Sequence, residues 1–396
     1  MAKSAIGVGV LGLPSAMRDA GLALGLILLA FGSFTTSSTL HFLARIAANT
    51  DMGDYFGVGR MAYGPRGENF AVFITMLYLF GGLIAYSSFT SIYFGEFLQY
   101  VFGFDPQSPP FYASKYFIIA LASLMIYPLA CLRDLSKLAK ASFVGMLCMT
   151  FVCGLTIIDY FLDSATVANA TYTMFNISTK IFPAFATILF AFCNHFTMLA
   201  IIPQFVNPSP KRRSLLLVYS STFILVFYFL MSLFGYLHFG DAVENNILLS
   251  RKPTTLAYAI AKLSVALVII CSYPLLCDPT KACINFLLDK SVGKARGAAE
   301  HVRNLVVTAS LVGGSGVVAM FAAGQVLPIL GVFSSLCGSL LMFVFPALYF
   351  LRLSDKYHVS GTERAIAYLD IGVGVVVLIF GTIFSVINCL KEFKLI

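Results

Sequence analysis

A chain that repeats apolar stretches of about 20 residues, with most of its charges gathered between them, has few folds open to it. Hydrocarbon holds no water to satisfy free backbone amides and carbonyls, so only helices and closed barrels cross a bilayer. A helical span needs about 20 apolar residues. Eleven stretches reach or approach that length: 4–20, 21–43, 70–99, 116–132, 141–162, 180–203, 215–239, 255–277, 302–322, 325–351 and 366–390. Charged residues make up only 11% of the chain, against about 25% in an ordinary soluble domain. The expectation is an all-α polytopic membrane protein, one domain over residues 1–396.

The basic residues set the orientation. With the N-terminus in the cytoplasm, 18 of the 26 Lys and Arg fall on cytoplasmic connections, among them Arg45, Arg60, Arg133, Lys211, Arg212, Arg213 and Lys290. This predicts N-in, C-out and an odd number of spans. Asn169 and Asn176 both begin glycan acceptor triplets, and both lie on the predicted outer side. The net charge of +8 is scattered between apolar segments, which argues against a nucleic-acid partner. Nine cysteines show neither zinc spacing nor a secreted-domain pattern, so no metal site is expected. Trp is absent, and any interfacial belt falls to the 19 Tyr. The start lacks the basic region and cleavage site of a signal peptide. Only three residues precede the first stretch, and a longer N-terminus is expected.

The first stretch, Ser4 to Ala20, is apolar yet built to fail as a continuous helix. Gly7, Gly9 and Gly12 each weaken a helix by about 1 kcal/mol relative to Ala, and Pro14 cannot donate its backbone hydrogen bond. One reading is a broken helix whose exposed backbone binds a ligand at the membrane midplane. The other is that the glycines let neighbouring helices pack closely. The sixth stretch is interrupted in the corresponding place, by Asn194 and His195 in its middle and Pro203 at its end. Spans 1–5 (4–162) and 6–10 (180–351) then read as two halves with the site between their first helices, and span 11 (366–390) as an addition.

Other residues are candidates for the pathway. Tyr78, Gly82 and Tyr86 fall on one helix face at i, i+4 and i+8. His195 and Asn194 sit mid-span, where polar side chains mark a pathway or make a helix–helix hydrogen bond. Lys262 either snorkels or pairs with an acid such as Glu96. Asp278 and Lys281 flank Pro279 as a gate or a local ion pair. The chain holds no H-E-x-x-H, no G-x-S-x-G, no intramembrane carboxylate pair and no ATP-binding P-loop, which argues against an enzyme or an ATP-driven pump.

Six ordered segments carry a family resemblance: GVGVLGLPSAMRDAG (7–21), DYFGVGRMAYGPRG (54–67), FAFCNHFTMLAIIPQF (190–205), GYLHFGD (235–241), SYPLLCDPTKA (272–282) and GSLLMFVFPALYFLRL (338–353). Over nearly its whole length the chain resembles the amino acid/auxin permease family. The resemblance implies eleven transmembrane helices, ten of them in the leucine-transporter type of 5+5 inverted repeat. It also implies secondary active transport of an amino acid, driven by sodium or protons. Gly7, Gly9, Tyr78, Gly82, Asn194 and His195 are then expected at the substrate. Ser272 matches a position that helps hold the ion, and Lys3 stands near an Asn expected in sodium-coupled relatives. A lysine there, with His195 titrating in the working range, favours proton coupling by subtraction. The alternatives are sodium coupling and an amino acid sensor with a transporter fold. The expected partners are a small amino acid and membrane lipid, with no cofactor beyond the coupling ion. The expected state is a monomer in the plasma membrane or the vacuolar or lysosomal membrane.

Overall fold

The computed structural model describes residues 5–50, 54–132, 139–195, 198–199, 209–251, 255–322 and 326–393. Most of those residues are helical, with no strand among them. After a 3₁₀ turn at Val8–Gly12 come α1 (Leu13–Ala20), α2 (Leu22–Thr50), α3 (Tyr55–Phe102), α4 (Lys115–Ala130) and α5 (Ala139–Leu162). Next follow α6 (Ile181–Phe192), α7 (Pro210–Phe239), α8 (Leu256–Ser291), α9 (Ala298–Ala322) and α10 (Val326–Phe333). Helix α10 continues through π-helical Ser334–Gly338 and Leu340–Val344 into α11 (Phe345–Arg352). Helix α12 (Gly361–Val376) continues through Val377–Gly381 into α13 (Thr382–Glu392). Eight helical stretches are long and apolar enough to cross a membrane, and α4 and α6 are shorter apolar helices. The chain is thus a multi-pass integral membrane protein.

Local chemistry explains where the helices begin. Asp54 caps α3 by accepting the Gly57 amide at 2.6 Å, and Ser209 caps α7 ahead of Pro210. Ser360 and Glu363 form a capping box on α12. Two helices outrun the apolar stretches that announce them. Helix α3 starts fifteen residues ahead of the stretch 70–99, bending where Tyr63 and Gly64 leave helical geometry. Gly64, at φ 67°, takes the left-handed backbone that Gly tolerates best. Helix α8 runs unbroken through Pro274 and Pro279 to Ser291.

Burial separates an inner group of helices from an outer one. In the apolar windows of α3 and of the stretch from Pro328 to Arg352, 72% of residues are buried, against 28% in α5 and α7 and 22% in the last helix. The outer helices show Phe143, Leu147, Val218, Tyr219 and Leu369 on their surfaces, the faces that lipid would cover. The first segment is enclosed: Ile6, Val10, Leu11, Leu13 and Met17 have no exposure.

A strap at one end of the bundle holds this segment. Residues 171–176 bond on one side to the corner between α1 and α2, through Leu22 N to Thr173 O at 2.9 Å, Ala23 N to Met174 O at 3.0 Å and Asn176 N to Ala20 O at 2.9 Å. On the other side they bond to the end of α7, through Asp241 N to Thr171 O at 2.9 Å and Thr173 Oγ1 to Asp241 Oδ2 at 2.9 Å. Tyr236 donates to Asp241 Oδ1 at 2.6 Å, and Arg18 donates to Val243 O at 2.6 Å. Nearby, Asp163 bonds Thr166 and pairs with Arg251 at 2.7 Å. The Thr166 hydroxyl and amide, then Arg251, hold its carboxyl at about 2, below the usual carboxylate range.

Gly240 shows why the motif 235–241 ends in Gly-Asp. Its φ is 58°, and an added Cβ would lie 2.2 Å from Thr171 O. Gly240→Ala is therefore expected to lower stability by more than about 1 kcal/mol, read as a lower Tm of the detergent-purified protein. Gly361→Ala, with nothing near the added carbon, should leave Tm unchanged or raise it. Equal Tm values for the two variants would contradict the role given to the strap.

Candidate functional site

The first segment breaks at Gly7, whose backbone is extended at φ −129° and ψ −155°. Gly7 N turns back to Ala5 O at 2.9 Å, and the 3₁₀ turn starts immediately after. Gly7 supplies no side chain to cap that turn, so its first amides lack intrahelical partners. Pro14 is not the break. It lies in the first turn of α1, where its missing amide would be unpaired in any case.

The second break follows α6. Cys193 is extended at φ −71° and ψ 104°, and the chain re-enters helical geometry at His195. The two breaks lie side by side. A Cβ on Gly9 would stand 3.0 Å from the Ala191 Cα and 3.0 Å from Phe190. Only glycine allows this approach of one broken segment to the other. At Gly9 the close-packing reading therefore holds, and it is what brings the breaks together.

Between the breaks and α3 is a cavity of about 60 Å³. Gly7, Gly9, Tyr78 and Gly82 line it, joined by Tyr86, Phe190, Cys193 and Leu276. The face predicted from the spacing of Tyr78, Gly82 and Tyr86 is the face that α3 presents there. A Cβ on Gly7 would meet only Tyr86 Oη at 3.7 Å, and one on Gly82 would press on Leu276 Cδ2 at 2.9 Å. No charged side chain lines the cavity among the described residues. Its polar groups are backbone, the hydroxyls of Tyr78 and Tyr86, and the Cys193 thiol.

The remaining candidates lie elsewhere. Asn194 and His195 are buried but do not line the cavity. His195 Nε2 is 2.9 Å from Thr39 Oγ1 on α2. That hydroxyl also lies 3.0 Å from the Thr35 and Thr36 carbonyls, which only accept, so with its one proton on either of them it accepts from Nε2. Ser272 is buried on α8, one turn before Leu276. The helix does not open there, but Pro274 lacks an amide and frees the Ile270 carbonyl. Lys3 lies outside the described residues. Lys262 is fully buried, pairs with Glu96 and donates to Arg251 O at 2.7 Å. Asp278 and Lys281 form a local ion pair at 3.0 Å. Asn169 is exposed, whereas Asn176 is half-buried and donates its side-chain amide to Asp19 O at 3.1 Å.

One residue at the site was not singled out from the sequence. The Tyr228 hydroxyl on α7 is 2.8 Å from Ala5 O and 2.6 Å from Ala191 O, one carbonyl from each break. Its one proton serves one carbonyl at a time, so the breaks share a single donor. The available signal was a tyrosine deep inside an apolar stretch, away from either interface.

The family model described as "Transmembrane amino acid transporter protein" matches residues 1–387. A Rattus norvegicus protein named "Putative sodium-coupled neutral amino acid transporter 11" is 24% identical over 391 residues, covering 97% of this chain and 83% of its own. The Mus musculus protein of that name matches equally, and the Bos taurus one is 25% identical over 392 residues, covering 97% of this chain and 81% of its own.

Two substitutions separate packing from lining. Gly9→Val must push Ala191 and Phe190 away, as an overpacked core does at a cost of about 1–3 kcal/mol, and should lower Tm. Gly7→Ala should match the parent in Tm. If Gly9→Val were as stable as Gly7→Ala, the contact between the broken segments would not hold the fold together.

Proposed function

Because this chain belongs to the transmembrane amino acid transporter family, we propose that it carries a small neutral amino acid across a membrane by gradient-driven alternating access. The observation that carries this reading is the uncharged cavity between two broken helices. A zwitterion there meets free amides at the start of the 3₁₀ turn and carbonyls at the end of α6, where helix ends supply partial charges of the matching sign. A charged side chain would find no counter-ion. About 60 Å³ is room for roughly four to six water-sized groups, which suits glycine or alanine.

The arrangement also supports eleven spans in two inverted halves. The break at Gly7 stands ahead of α1 at the start of α1–α5, the break at Cys193 follows α6 at the start of α6–α11, and α12–α13 adds the last span. In this reading the Lys211–Arg213 end faces the cytoplasm. Exposed Asn169 is the better glycan acceptor, since Asn176 is engaged in the strap. The protein works as a monomer in the plasma membrane or in a vacuolar or lysosomal membrane.

Sodium is the better-supported driving ion. The relatives carry it in their printed names, and Ser272 with freed carbonyls offers the oxygen ligands a hard cation takes. The proton reading rests on Lys3 and on His195, and His195 bonds Thr39 and does not line the cavity.

The test is radiolabelled uptake into proteoliposomes. Alanine uptake should need an inward sodium gradient and collapse when choline replaces sodium. Uptake that persists in choline and rises with external acidity would favour protons. Gly82→Ala, by crowding Leu276 at the cavity wall, should weaken alanine uptake at least 10-fold, about 1.4 kcal/mol, with equal amounts of protein reconstituted. Normal uptake by this variant would place the substrate elsewhere.

A further inference from the structure

Asp370 lies nine residues inside α12 and is fully buried. Its Oδ2 is 2.6 Å from Ser38 Oγ on α2, and its Oδ1 has no hydrogen-bond partner. No ion pair reaches it among the described residues. The charged groups of the surrounding elements lie toward one end. On α2 these are His41 and Arg45, on α12 itself Glu363 and Arg364 with the exposed phenol of Tyr368, and on α11 Arg352 with the phenol of Tyr349. Arg45 is committed to Glu363 and to His358 O at 2.6 Å. The π-helical segment Leu340–Val344 brings no titratable group.

The hydrogen positions follow from counting donors. Ser38 Oγ lies 2.8 Å from Thr35 O as well as 2.6 Å from Asp370 Oδ2. A carbonyl only accepts, and a serine hydroxyl has one proton. If Asp370 were ionised, Ser38 would donate to it, leaving two oxygens facing at 2.8 Å without a proton between them. If Asp370 is a carboxylic acid, it donates to Ser38 and Ser38 donates to Thr35 O, so both short contacts hold a proton. A buried carboxylate with one neutral partner is also the costly form in a membrane.

A route for the proton is present. Beside Ser38 runs a groove of about 310 Å³ that carries the hydroxyls of Ser37, Ser214 and Ser221 between apolar Phe34, Val218 and Leu225. It shares His41, Ser214 and Leu217 with a larger cleft that ends at Lys211 and Arg213. We propose that Asp370 is an intramembrane proton-binding site, holding a carboxylic acid that locks α12 to α2 and exchanging its proton with water at the Lys211–Arg213 end by way of the hydroxyls along this groove. The inference does not depend on the transport reading.

The test uses infrared spectroscopy of the full chain in liposomes at neutral pH. A carbonyl band of a protonated carboxylic acid should be present, should vanish in Asp370→Asn and should shift on transfer to heavy water. Asn matches the acid in shape and keeps a donor toward Ser38, so the variant should fold. Ser38→Ala provides a second reading: the band should persist at a shifted frequency. Ser221→Phe, which fills the groove, should slow exchange in heavy water without removing the band. A spectrum unchanged by Asp370→Asn, or a band unmoved by Ser38→Ala, would overturn the site. Exchange as fast in Ser221→Phe as in the parent would overturn the route.

Discussion

In a membrane every backbone amide and carbonyl must find a partner inside the protein, and this fold interrupts two helices at its centre. The backbone is extended at Gly7 in the first segment and at Cys193 at the end of α6. Each interruption frees groups that a continuous helix would satisfy. The structure answers by setting the two breaks against one another through the bare backbone of Gly9 and by aiming Tyr228 at one carbonyl from each. A single hydroxyl proton cannot serve both, so polar capacity remains where the cavity opens. That residual capacity, with no charge around it, is what suits the site to a zwitterion.

The rest of the molecule holds these breaks in place. Helix α3, deeply buried and bent at Gly64, supplies the opposite wall through Tyr78, Gly82 and Tyr86. The strap at residues 171–176 fixes the far end of α1, so the first segment is anchored at its corner. Helices α5, α7 and the last span face outward with apolar side chains. Even the last span is tied inward, by Arg45 to Glu363 at one end and by Ser38 to Asp370 deeper in.

Much of this was legible in the sequence, for physical reasons that differ by residue. Gly7 and Gly9 stand out because glycines in an apolar span have few uses. Tyr78 and Gly82 stand out because a four-residue spacing defines a helix face whatever the fold. Pro14 looks like a breaker in the sequence because its effect depends on where the helix starts, and hydropathy does not show that. The same blindness shortened α3, whose first turns lie outside the apolar stretch. Asn194 and His195 are polar at membrane depth, but only coordinates show that His195 turns toward Thr39. Tyr228 and Asp370 do not stand out in the sequence because their significance lies in partners far away in the chain, Ala5 and Ala191 for one and Ser38 for the other.

The central claim, that the cavity between the two breaks receives a small neutral amino acid, is tested most directly at Cys193. Its thiol lines the cavity. In a variant retaining Cys193 as its sole cysteine, a small thiol reagent should modify it slowly, and alanine should protect it while lysine and glutamate at equal concentration do not. Modification at the same rate with and without alanine, or equal protection by the charged amino acids, would contradict the account.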